Sequence, residues 1–290
     1  VAVWGSVEGG GTKFVCAIGT EPDDIRAEVT IPTASPDGTL AAVVAFFEAH
    51  GPVEAVGVAT FGPIELRPDH ADYGHVTATP KPGWSGADVV GPIREALGVP
   101  VGFETDVNGA AMGEMRWGAG VGLDSIVYLT VGTGIGGGAI SHGQLVGGMS
   151  HPEMGHVSVP RHPSDRYRGR CPFHADCLEG MAAGPALEER WGMPLSELPA
   201  SKAAKAIDIE AHYLAHGLRN FVYTLAPERI IVGGGVSKTP GLIDATEARL
   251  IEVLSGYSPA ELAEGGFVVR PGLGDRSGIA GGFALAESVV

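Results

Sequence analysis

Short runs of Val, Ile, Ala and aromatic residues recur along this chain, and glycine clusters interrupt them. The opening "VAVWGSVEGGGTKFVCAIGT" alternates strand-forming residues around a turn that only glycine accommodates, and it predicts a β-hairpin. "PDGTLAAVVAFFEAHG" carries its apolar residues at helical spacing and predicts an amphipathic helix. "VEAVGVATFGPIEL" and "VPVGFETDVNGAAMGEMRWG" each begin with a strand. In the second, the strand ends near Glu104 and a helix starts at about Val107. At Asp124 the strand, glycine turn and strand pattern returns in "DSIVYLTVGTGIGGGAI", a weak internal repeat. "RIIVGGGVSKTPGLI" then reads as a buried strand, a loop and a helix, as in α/β folds that bind ligands at strand ends.

Two α/β domains follow from this order. The first covers 1–118, and the second covers 119–278 with a His- and Cys-rich loop at 151–180. A C-terminal helix over about 279–290 is expected to pack back on the first domain. A length of 290 residues suits this division.

Composition narrows the function more than the fold. A formal net charge of -15 gives no basic face for nucleic acid. No apolar run approaches the roughly 20 residues of a membrane span, and the N-terminus lacks a signal-peptide pattern, so no membrane partner and a cytoplasmic location are expected. Three cysteines are too few for a disulfide framework and fit a reducing compartment. The chain starts at Val1 rather than Met, which leaves upstream residues open.

Many of the 46 glycines cluster after hydrophobic runs, which points to backbone approaching a ligand. In "GGGTK", Gly10, Gly11, Thr12 and Lys13 offer bare N–H groups, a hydroxyl and a cation, although the Walker A spacing is absent. Each loop alone reads equally as an ordinary turn. "TVGTGIGGG" and "GGGV" from Gly233 join it, and the three together favour a nucleoside triphosphate site. Asp106 sits where a strand gives way to a helix; it serves there as a helix cap or as the base that accepts a hydroxyl proton during phosphoryl transfer. Glu8 is the nearest acid for Mg²⁺, through water, or else a strand-end carboxylate in solvent.

His156, Cys171, His174 and Cys177 have the ligand types and short spacing of a tetrahedral zinc site. Four protein ligands close the shell, so this zinc is expected to hold the loop and leave the chemistry to other groups. Glu153 and Glu179, on either side of the cluster, would be delivered toward a polar substrate.

"EGGGTKF", "TDVNGAAMGE", "TVGTGIGGG", "HPEMGH", "CPFHADCLEG" and "IIVGGGV" together resemble the ROK sugar kinases and repressors over nearly the whole chain. The resemblance implies a two-domain, actin- and hexokinase-like (ribonuclease H-like) fold with ATP and sugar in the interdomain cleft. It implies Mg²⁺, a homodimer, and Asp106 as the base for the sugar 6-hydroxyl. By the same resemblance Gly10 to Lys13, Thr133 and Gly134 face the phosphates, while Gly184, Pro185, Gly233, Gly234 and Gly235 approach the nucleoside.

"CPFHADCLEG", "TPKPGW", "ATFGP" and Thr105 are similar to the bacterial fructokinase branch, which places Gly62, Pro63, Lys81, Trp84 and Thr105 at the sugar. "PKPGW" reads equally as a rigid turn around a buried Trp. The expected reaction is D-fructose and ATP to fructose 6-phosphate and ADP; mannose, glucose or an amino sugar are the alternatives. A sugar-responsive regulator would carry a helix-turn-helix domain before this fold, and with the first strand so close to Val1 none is expected.

Overall fold

The computed structural model describes residues 2–257, 262 and 264–290, and it divides into two compact units. The first comprises residues 2–122, Leu145–Pro152 and Gly272–Val290; the second comprises Leu123–Gln144 and Glu153–Pro271. Leu145–Pro152 returns to the first unit, which the sequence-based limits did not anticipate, because local patterning cannot tell which core a short segment joins.

In the first unit, β1 (Trp4–Gly9) is central. It pairs antiparallel with β2 (Lys13–Gly19) through the glycine turn and parallel with β4 (Ala55–Thr60). β3 (Ile25–Pro32) and β5 (Val101–Thr105) complete the sheet in the order β3-β2-β1-β4-β5. α1 (Pro36–His50) is capped by Ser35, whose Oγ accepts from Gly38 N, and it buries Leu40, Val43 and Phe47 at helical spacing. These side chains meet Phe14, Val58 and Ile93, the last from α2 (Val90–Leu97), in one apolar core.

α3 (Asp106–Trp117) follows β5 directly. The C-terminal helix α8 (Ser277–Glu287) lies against α3, β1 and β4, and Ser6 Oγ donates to Ile279 O at 2.7 Å. A Cβ on Gly281 would stand 2.1 Å from Gly109 O, so the α3–α8 crossing depends on backbone meeting backbone. Glu114, with no exposed surface, ties the same region together. Its carboxylate accepts from Ala119 N, Gly272 N, Leu273 N and Ser277 Oγ at 2.7–3.1 Å.

The second unit repeats the plan. β6 (Ile126–Val131) pairs antiparallel with β7 (Ile135–Ser141) and parallel with β9 (Arg229–Gly233). With β8 (Gln144–Leu145) and β10 (Val268–Val269) the order is β10-β9-β6-β7-β8. Each sheet is therefore a hairpin whose first strand also heads a parallel run, which is the repeat seen in the sequence. α4 (Leu178–Ala182), α5 (Gly184–Trp191), the 26-residue α6 (Ala200–Leu225) and α7 (Leu242–Leu254) complete the unit. No helix among the described residues is long and apolar enough to cross a membrane.

Candidate active site and metal cluster

In the first unit the glycine turn is held from outside. Gly10 N donates to Lys13 O at 2.8 Å, Thr33 Oγ1 donates to Gly10 O at 2.7 Å, and Lys81 Nζ donates to Gly11 O at 2.6 Å. Gly11, Thr12 and Lys13 remain exposed. Lys81, expected at the sugar, thus reaches the turn. Trp84 corrects the expectation further: it has no exposed surface, stacks on Phe14 with centroids 5.4 Å apart, and gives its indole N–H to Ala34 O at 2.9 Å. Its ring belongs to the core, since burying a large aromatic with its one donor satisfied is the stable solution for "PKPGW".

Asp106 is the first residue of α3, one position earlier than the sequence suggested. Thr105, the N-cap, accepts from Asn108 N at 3.1 Å, so its hydroxyl starts the helix. Asp106 Oδ1 accepts from Val107 N at 2.9 Å. The carboxylate is half-buried at a helix N-terminus.

Glu8, at the end of β1, is not a carboxylate in open solvent. The N-terminus of α8 covers it so closely that a Cβ on Gly278 would stand 2.2 Å from Glu8 Cδ. Burial first, then the charge of Asp106, pushes the Glu8 carboxyl up to about 7, with Lys13 opposing. Two carboxyl groups that sense one another beside a glycine turn are a fitting place for a divalent cation.

Sequence reasoning missed the surroundings of Asp106. Glu104 Oε2 accepts from Thr105 N at 3.0 Å and from Asn108 Nδ2 at 2.8 Å. Burial raises the Glu104 carboxyl, opposed by these two hydrogen bonds and by His151. The Gly62–Pro63 peptide is cis, and Ile64 N donates to His151 Nε2 at 3.3 Å. The available signal was the run "FETDVNG" itself, in which strand alternation and the first helical turn put Glu104 and Asn108 on either side of Asp106.

In the second unit a cavity of about 450 Å³ gathers Thr133, Gly184, Pro185, Gly235, Val236 and Thr239. Gly184 N donates to Gly132 O at 2.8 Å, which joins the two loops. The Thr239 hydroxyl is buried with no partner among the described residues. Gly233 is the buried end of β9, and Gly234 takes φ +84, turning the chain toward Gly235. Glu179 Oε2 accepts from Ile135 N at 3.0 Å and so holds the loop of Thr133 and Gly134. Glu153 is exposed, and its carbonyl accepts from His156 N at 3.0 Å.

The four predicted metal ligands converge. Cys171 and Ala175 exchange backbone hydrogen bonds around a tight turn, and a bridge between Ser158 and Cys177 brings the segment after His156 beside Cys177. The ligand atoms of His156, Cys171, His174 and Cys177 all lie within 4.8 Å of one another. Sulfur to His Nδ1 distances are 3.5 Å for Cys177–His156 and 3.7 Å for both Cys171–His156 and Cys171–His174. Ordinary Zn–S and Zn–N bonds at tetrahedral angles give about 3.6 Å for that edge. The donor set therefore fits a four-coordinate metal ion.

A profile of the ROK family matches residues 4–289. The chain belongs to the ROK family. It is 43% identical over 290 residues to the fructokinase of Zymomonas mobilis, with 98% of this chain and 96% of the relative aligned. Among solved structures, the ROK hexokinase from Thermus thermophilus superposes with a TM-score of 0.81 at 28% identity, covering 99% of this chain and 98% of that one. A ROK glucokinase from Streptomyces griseus in complex with glucose and AMPPNP gives a TM-score of 0.77 at 26% identity, covering 99% of this chain and all (100%) of that one. The two-sheet α/β architecture of this ROK protein is thus that of the family's sugar kinases.

Proposed function

We propose that this ROK protein transfers the γ-phosphoryl group of ATP to the 6-hydroxyl of D-fructose. The observation that carries the reading is Asp106 at the N-terminus of α3, half-buried, beside Glu8 and the exposed glycine turn. Its support from outside the chain is 43% identity to a fructokinase across almost the whole length, and a glucokinase relative that binds a sugar with an ATP analogue.

In this mechanism Asp106 accepts the proton of the 6-hydroxyl as that oxygen bonds to the γ-phosphorus. The bond from that phosphorus to the bridging oxygen breaks, and the electron pair leaves on ADP. Gly11, Thr12 and Lys13 are exposed donors suited to phosphate oxygens. The 450 Å³ cavity, with Gly184, Pro185, Gly235 and the unpartnered Thr239 hydroxyl, suits a nucleoside. Mg²⁺, when bound, would neutralise phosphate charge, and Glu8 is the acid that would hold it. His156, Cys171, His174 and Cys177 would hold a structural zinc, which keeps Cys177 and the adjoining α4 in place. A cytoplasmic homodimer completes the reading.

Asp106→Asn keeps the shape and removes the proton acceptor. Turnover, measured as ADP release across fructose, mannose, glucose and amino sugars, should fall by at least about a thousandfold while fructose binding persists. Near-wild-type turnover in the variant would remove Asp106 from the role of base, and a wild type that prefers another sugar would end the fructose assignment.

A further inference from the structure

A buried ion pair in the second unit joins the His- and Cys-rich loop to the helix that borders the nucleoside cavity. Asp165 lies in the stretch between His156 and Cys171, the first two of the clustered metal ligands. Arg190 lies in the last turn of α5, whose first turn brings Gly184 and Pro185 to the 450 Å³ cavity. Arg190 Nη2 stands 3.2 Å from Asp165 Oδ2, and the two side chains are only 6% and 5% exposed. The same nitrogen donates to Met181 O of α4 at 2.8 Å. One guanidinium thus holds the loop, α4 and α5 together.

The surroundings fix the geometry of the pair. Asp165 Oδ1 accepts from Tyr167 N at 3.0 Å, and Oδ2 accepts from the Tyr213 hydroxyl of α6 at 2.7 Å. The guanidinium carbon sits 4.7 Å from the Tyr167 ring centre and 5.5 Å from that of Tyr213. Glu210, one turn before Tyr213 on α6 and wholly buried, does not supply a second negative charge. Neither of its oxygens has a partner among the described residues, and burial pushes its carboxyl up to about 8 against the pull of Arg190. At neutral pH Glu210 holds its proton, so Asp165 balances the permanent charge of Arg190. Such a pair adds little net stability over apolar packing, and its distinctive effect is directional: it sets where α5 lies against the loop.

We propose that Asp165 and Arg190 are positioning residues for the nucleotide, and that through them metal binding at the His and Cys cluster is coupled to occupancy of the cavity. The inference rests on reading the cavity as the nucleoside site and the cluster as a zinc site, and it adds the link between them. His156 and Cys171 bracket the stretch that carries Asp165, so a metal ion that draws those two together also sets where Asp165 stands. α5 is only about two turns long and moves as one piece. A shift at Arg190 therefore reaches Gly184, whose N–H is bonded to Gly132 O at the cavity. Two ligands that favour the same placement of loop and helix tighten each other's binding by the same factor.

The test uses the zinc-loaded full chain. Asp165→Asn keeps the shape of the side chain and leaves the Arg190 charge unbalanced. The dissociation constant for Mg-AMPPNP, by calorimetry, and the KM for ATP are each expected to rise about tenfold, while the KM for fructose changes by less than about twofold. In the wild type, saturating Mg-AMPPNP is expected to slow the transfer of zinc to a chromogenic chelator severalfold, and in Asp165→Asn that protection should disappear. Equal rises in both KM values, or an unchanged AMPPNP affinity, would mean that the pair serves stability only, and the proposal would be overturned while the kinase reading stood. Zinc transfer that ignores AMPPNP in the wild type would overturn it as well. A wild type that binds no AMPPNP would overturn the nucleotide reading of the cavity together with this inference. Tyr213→Phe, which removes only the hydroxyl bonded to Asp165, makes the same comparison if Asp165→Asn fails to fold.

Discussion

Glu8 should make the stability of this protein fall as pH rises through neutrality. Its carboxyl is raised from 4.5 to about 7 in the fold, chiefly by burial under α8 and then by Asp106. A raised acid binds its proton in the folded state while the unfolded chain has already released it. Stability from this group is therefore fully present below pH 4.5 and is lost as pH climbs through 7. With these two values the loss between pH 5 and pH 8 is about 2.5 kcal/mol. Glu8→Gln removes the titration and keeps the volume. Urea unfolding at pH 5, 6, 7 and 8 should give a wild-type minus variant difference that changes by that amount, with m-values unchanged. At pH 8 the variant should be the more stable of the two and the poorer catalyst, because the charge that would hold Mg²⁺ is gone. Parallel pH profiles for the two proteins would refute the reasoning and return Glu8 to the status of an ordinary surface acid.

Other consequences can be checked in the same way. Cys177→Ser should lower zinc content, measured by elemental mass spectrometry, from about one per chain toward zero and reduce Tm by several degrees before it changes kcat. Glu114→Ala should cost about 4 kcal/mol in urea unfolding, because three backbone N–H groups and the Ser277 hydroxyl lose a buried acceptor. Gly281→Val should cost more than about 3 kcal/mol or abolish soluble protein, since its side chain would meet the Gly109 carbonyl at the α3–α8 crossing.

Much of this protein is legible in the order of its residues. Hairpins, the amphipathic α1, the strand-to-helix step at Asp106 and the repeated glycine turn follow from local periodicity, which backbone geometry enforces within a few residues. The His and Cys cluster is legible for a related reason: Cys171, His174 and Cys177 are near in sequence, so one short turn gathers them. Asp106 is legible because a helix start is a local event.

What local patterning left open was which surface a side chain meets. Trp84 reads as an aromatic sugar contact or as core, and packing against Phe14 decided for the core. Glu179 holds the loop of Thr133 and Gly134, a partner 44 residues away. Glu8 gained its raised carboxyl only when α8, almost the whole chain later, folded over it. His151 meets Ile64 because Leu145–Pro152 returns to the first unit. Residue type and spacing determine local geometry and possible chemistry. Desolvation, charge proximity and the pairing of distant donors are properties of the assembled tertiary structure, because each depends on atoms that the chain brings together only by folding.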